Sequence, residues 1–131
     1  MVNAKVLVVE DEKIIALDIK MLLQKAGYEV VGIADSYEEA IHKVQEELPD
    51  IILMDIILKG YYNGIDAAHK ITGEYDIPII YLTALSNDDT FLDARLEGKP
   101  FAYLVKPLKD EELINTIKAL IENKDRNKAV Q

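Results

Sequence analysis

A chain of 131 residues, half of them hydrophobic and 30% charged, has the length and balance of one globular domain with a sizeable core. It carries no cysteine, which excludes disulfides and thiolate metal sites, and its net charge of −9 opposes contact with nucleic-acid phosphate. No apolar run reaches the roughly 18–20 residues that span a bilayer, and the opening "MVNAKVLVV" leads into acids rather than a small-residue cleavage site, so no membrane segment and a cytoplasmic home are expected.

In chain order, "KVLVV" (5–9) reads as a first strand. Residues 12–26 place Ile15, Ile19, Leu22, Leu23 and Ala26 on one helical stripe, with Gly27 as its stop. "EVVGIA" (29–34) is a second strand; Ser36 and Glu39 make an S-x-x-E capping box for a helix to about 47, and Pro49 blocks its continuation. "DIILMD" (50–55) is a third strand, followed by a helix over 64–72 that ends at Gly73. "IPIIYLT" (77–83) is a fourth, after which Ser86 and Asp89 cap a helix to about 97. "FAYLV" (101–105) is a fifth, and Lys109 or Asp110 opens a last helix with Leu113, Ile117, Leu120 and Ile121 inward.

Continuous apolar runs of this length are the pattern of strands buried on both faces. Five β-α units with short connections and right-handed crossovers give an α/β fold, a parallel sheet covered by helices on both sides. No repeat or low-complexity segment interrupts it. Residues 1–122 read as one domain, and "NKDRNK" (123–128) falls in a polar C-terminal tail, or the start of a linker, over 123–131.

The chemistry gathers at the strand ends. "IILMDIIL" (51–58) buries a lone carboxylate, Asp55, among aliphatic side chains, which is costly without a partner. The first strand runs into "EDE" (10–12), and ligands of doubly wound sheets bind outside the carboxyl ends of the strands. If the first and third strands are neighbours, Glu10, Asp11 and Asp55 converge. Like charges about 4 Å apart repel by roughly 4 kcal/mol at an effective dielectric of 20, so such a trio calls for a cation, and an all-oxygen set suits Mg²⁺. The plainer alternative is that Glu10, Asp11 and Glu12 are an acidic first helical turn favoured by the helix dipole. Thr83 ends the fourth strand and Lys106 the fifth. Each alone is ordinary, a β-former and a Lys-Pro turn. Together with a cation they form a site for a phosphoryl group, with Asp55 as the acceptor nucleophile.

Four segments in register, "VVEDE" (8–12), "LMDIIL" (53–58), "YLTAL" (81–85) and "YLVKP" (103–107), resemble a response-regulator receiver domain of two-component signal transduction, over roughly residues 4–122. The resemblance implies a flavodoxin-like, doubly wound five-stranded parallel sheet of order 2-1-3-4-5 with five helices. It implies phosphoryl transfer to Asp55 from a sensor histidine kinase or phosphotransfer protein, in a phosphorelay switch rather than an enzyme acting on other substrates. Mg²⁺ (or Mn²⁺) would be held by Asp11, by Asp55, by Glu10 through water and by the backbone carbonyl of Ile57. Lys106 would bond the phosphoryl group, with a cis bond to Pro107. Thr83 and Tyr103 would be the switch, and the face of the fourth helix, fifth strand and fifth helix would meet an unknown downstream protein or form a homodimer.

The chain departs from the family's habit at Glu10, where Asp is common, at Lys59, where Pro is common, and in the longer loop "KGYYNG" (59–64). Leu108, Pro100 and Gly98 depart too, the last two on the supposed output face. Ile57 and Leu85, two residues after Asp55 and Thr83, are aliphatic and cannot orient water, so slow self-dephosphorylation is expected. The rival reading is a pseudo-receiver that signals by protein contact without phosphate. An Mg²⁺-dependent aspartyl phosphatase would need a general acid where Ile57 stands. His42 and His69 read as exposed, and Tyr61 and Tyr62 as either loop packing or a partner contact.

Overall fold

A computed structural model describes the backbone of residues 3–84 and 100–130 and the side chains of 3–84 and 100–124. Strands β1 (Lys5–Val9), β2 (Glu29–Ala34), β3 (Ile51–Asp55), β4 (Ile79–Thr83) and β5 (Phe101–Val105) form one parallel sheet in the order β2-β1-β3-β4-β5. The described helices are α1 (Lys13–Lys25), α2 (Tyr37–Glu47), α3 (Gly64–Thr72) and α4 (Asp110–Val130). The expected helix to about 97, with Leu85, Ser86, Asp89 and Gly98, lies outside the described residues.

Why the strands are apolar throughout follows from their two sides. Val6, Val8, Ile51, Leu53, Ile80 and Leu82 face one way, onto Ala16, Ile19 and Leu23 of α1 and Leu113, Ile117 and Leu120 of α4. Leu7, Val9, Ile52, Met54, Ile79 and Tyr81 face the other, onto Ala40 and Val44 of α2 and Ala67, Ala68 and Ile71 of α3. Strand residues alternate in direction, so two covered faces demand an unbroken apolar run. That expectation holds for β1, β3 and β4. It does not hold for β2 and β5, which are mostly half-buried, because an edge strand has one neighbour and partial cover.

The caps also refine the expectation. Ser36 Oγ accepts from the Glu39 N–H, as a capping box requires, but Glu39 Oε1 accepts from the N–H of Asp35, not of Ser36. A complete box sits instead at α3, where Asn63 and Asp66 each accept the other's backbone N–H. Of the α1 stripe, Ala26 is exposed at the C-cap, and Gly27 follows at φ +93°. Helix α4 runs on to Val130, through residues read from the sequence as a polar tail.

Strand register brings the chemistry to one edge. Val9 pairs with Met54, Asp55 with Leu82 and Thr83 with Val105. The ladder continues past the strands: Glu10 N–H donates to Ala34 O, Ile56 N–H to Leu82 O and Lys106 N–H to Thr83 O, at 2.9, 3.1 and 2.7 Å. The backbones of Glu10, Ile56 and Lys106 are therefore fixed as firmly as the strands they extend.

Candidate functional site

Helix α1 begins at Lys13 with no acid in its first turn, so Glu10 and Asp11 are not part of a helix N-terminus. Glu10 is 1% exposed and Asp55 6%. Carboxylate oxygens of Glu10, Asp11 and Asp55 lie within 4.8 Å of one another. Of the three acids of the acidic-turn alternative, Glu12 is the exposed N-cap of α1, whereas Glu10 is buried away from the helix, beside Asp55.

Both carboxylate oxygens of Asp55 accept hydrogen bonds from described residues. Its Oδ1 accepts from the Ile57 N–H at 3.2 Å, and its Oδ2 from Lys106 Nζ at 3.2 Å. Lys106 Nζ also donates to Glu10 Oε1 at 3.0 Å, so one ammonium bridges two buried acids. Its tether is the cis Lys106–Pro107 bond after β5. Burial works against the Lys106 charge, but the hydrogen bonds and charges of Glu10 and Asp55 outweigh it and raise the ammonium pKa. Burial, joined by Asp55, pushes Glu10 up to about 7, with Lys106 pulling the other way. Glu10 Oε2 is buried with no hydrogen-bond partner among the described residues.

The donor set fits a hard divalent cation. It is all oxygen, it lies at the carboxyl ends of the adjacent strands β1 and β3, and it includes a buried oxygen in want of a partner. Ile57 is 65% exposed beside it. Thr83 is buried at the end of β4, opposite Val105, one residue before Lys106. Tyr103 lies lower on β5, half-buried and stacked on Tyr81 with ring centroids 5.6 Å apart. His42 and His69 are exposed on α2 and α3.

The description "response regulator receiver domain" fits residues 6–118. The chain belongs to the response regulator receiver domain family. This receiver domain is 38% identical over 120 residues to the transcriptional regulatory protein PdtaR of Mycobacterium tuberculosis (strain H37Rv), covering 92% of this chain and 58% of that protein. It thus spans little more than half of the curated relative's length. Among solved structures it is similar to the signal receiver domain of a modulated diguanylate cyclase from Desulfovibrio desulfuricans G20, at 33% identity and TM-score 0.88 over 96% of this chain and 99% of that one. It is also similar to the response regulator PhyR from Brucella abortus, at 29% identity and TM-score 0.85 over 98% of this chain and 52% of that one.

The receiver domain has one site residue that sequence reading passed over. Gly64 donates its N–H to Ile56 O at 2.8 Å, directly behind Asp55. An N-x-x-D signal at Asn63–Asp66 could have marked the helix start beside it. The close approach itself has no local signature.

Proposed function

We propose that this receiver domain is a phosphoacceptor switch that takes a phosphoryl group on Asp55 from a sensor histidine kinase or phosphotransfer protein. The observation that carries this is the hold on Asp55: one oxygen on the Ile57 amide, the other on Lys106, with Glu10 and Asp11 alongside. An Asp55 oxygen forms the new P–O bond as the donor's P–N bond breaks, and the electron pair leaves on the donor imidazole. Glu10, Asp11, Asp55 and the Ile57 carbonyl would hold Mg²⁺ (or Mn²⁺), which when bound supplies charge neutralisation for phosphoryl oxygens. Lys106 keeps its charge at the rim and follows the phosphoryl group.

Phosphorylation adds about −1.5 to −2 charges at a site whose cations are Lys106 and the metal. Thr83 and Tyr103 respond as the switch, and β5 and α4 contribute to the face that meets a downstream protein or a second copy. Between α1 and the start of α4, a groove lined by Ile15, Met21, Leu22, Pro107 and Leu108 opens beside Lys106. With Ile14 and Leu17 exposed on the same helix, and Asp18, Lys25 and Asp110 also lining it, this groove suits an amphipathic helix of the phosphodonor. Among the described residues no helix is long and apolar enough to cross a membrane.

The deciding experiment is intact mass after acetyl phosphate with Mg²⁺. A gain of one phosphoryl group (~80 Da), absent in Asp55→Asn, is expected. No gain would favour the pseudo-receiver reading. Ile57 is aliphatic and exposed at the mouth, so the acyl phosphate is long-lived. Faster decay in the wild type than in Ile57→Asn would contradict that.

A further inference from the structure

The loop from β3 to α3 carries the amide that holds Asp55, yet Ile57 itself is poorly anchored. Its side chain is 65% exposed, between buried Ile56 and Leu58. Beyond Leu58 the chain makes three attachments to the β2–α2 turn and the first residue of α2. Lys59 forms a parallel backbone bridge with Ser36. Its ammonium lies 3.4 Å from Asp35 Oδ2. After Gly60, at φ +94°, Tyr62 packs on Tyr37 with ring centroids 4.6 Å apart, and Tyr37 is seated against the core. Tyr61 is 92% exposed and meets Tyr62 edge-on, as the outer layer of the stack.

We propose that Lys59 and Tyr62 are positioning residues, a strap that clamps this loop to the β2–α2 turn and so keeps the Ile57 amide on Asp55 Oδ1. This deepens the phosphoacceptor reading and rests on it. Among the described residues the strap touches neither the carboxylates of Glu10, Asp11 and Asp55 nor Lys106. It acts by limiting how far the peptide at Ile57 turns between anchored Ile56 and the clamped stretch beyond Leu58, and hence how long the nucleophile keeps one orientation. The ring of Tyr62 makes this tilted aromatic contact, and its hydroxyl has no part in it.

The test compares the wild type with Tyr62→Ala, Tyr62→Phe, Lys59→Ala and the Lys59→Ala/Tyr62→Ala double variant, without metal, by amide hydrogen exchange. Exchange at Ile57 is expected to quicken roughly 3–10-fold in the double variant, less in the single alanine variants, and not in Tyr62→Phe. Amides of Val8 and Leu53, in the core strands, keep their wild-type protection. Loading by acetyl phosphate slows in the same order. Unchanged Ile57 exchange in the double variant would overturn the proposal, as would core amides quickening in step with it, or loading at the wild-type rate. If the wild type fails to load while exchange behaves as expected, the phosphoacceptor reading falls and the clamp on Ile57 stands.

Discussion

Gly64 lies so close against the backbone of Asp55 that a Cβ there would drive into the Asp55 carbonyl oxygen and the start of Ile56. Backbone cannot yield as a flexible side chain does. Gly64→Ala must therefore push α3 away from the end of β3, a form of overpacking that costs about 1–3 kcal/mol. The expected outcome is a lower urea midpoint and slower acetyl phosphate loading together. A variant as stable as the wild type, with normal loading, would show that the loop absorbs the methyl group.

Lys106 is the resident counter-ion of two buried acids, at 3.0 Å from Glu10 and 3.2 Å from Asp55. Lys106→Met leaves both without their ammonium. The side chain of Lys106 is 20% exposed, so the loss should fall below that of a fully buried pair, at about 1–3 kcal/mol near pH 8. It should shrink near pH 5, where Glu10 can take a proton. Adding Glu10→Gln to Lys106→Met should recover part of the stability. Urea unfolding of the three proteins at both pH values measures this, and a loss independent of pH would contradict it.

Glu10 ionises at about 7 when folded, against 4.5 for the ordinary group. The folded chain thus binds this proton more tightly than the unfolded chain does. Glu10 removes stability as pH rises from about 4.5 to about 7, and its penalty is complete above that interval. Lys106, raised above its ordinary value, stays charged throughout the interval. A divalent cation at these oxygens favours the ionised form and offsets the penalty. Addition of Mg²⁺ should raise the unfolding temperature more near pH 8 than near pH 5, and Glu10→Gln should narrow that difference. Equal Mg²⁺ effects at the two pH values in the wild type would refute the assignment.

Leu48 closes α2 in the left-handed region, at φ 47°, and is 59% exposed. A branched side chain is strained there, and this one gains little from burial. Leu48→Gly should stabilise by about 0.5–1 kcal/mol, read as a higher urea midpoint with an unchanged slope. A lower midpoint would mean that Leu48 contributes packing that outweighs the strain.

The sequence by itself determined the sheet and the roster of the site. Unbroken apolar runs admit few alternatives to parallel strands covered on both faces, and parallel strands carry acids after β1 and in β3 and a lysine after β5 to the same edge of the sheet, while the strand order was implied by the resemblance to receiver domains. What only the tertiary structure decided is how those groups meet. Which acid Lys106 touches, why Glu10 rather than Asp11 is buried, and that Gly64 presses on Asp55 depend on contacts between residues far apart in the chain. So do the exposure of β2 and β5 and the strap from Lys59 and Tyr62 to Asp35 and Tyr37. Periodicity and capping record forces between near neighbours, whereas desolvation and steric fit are set by whatever the finished fold brings alongside.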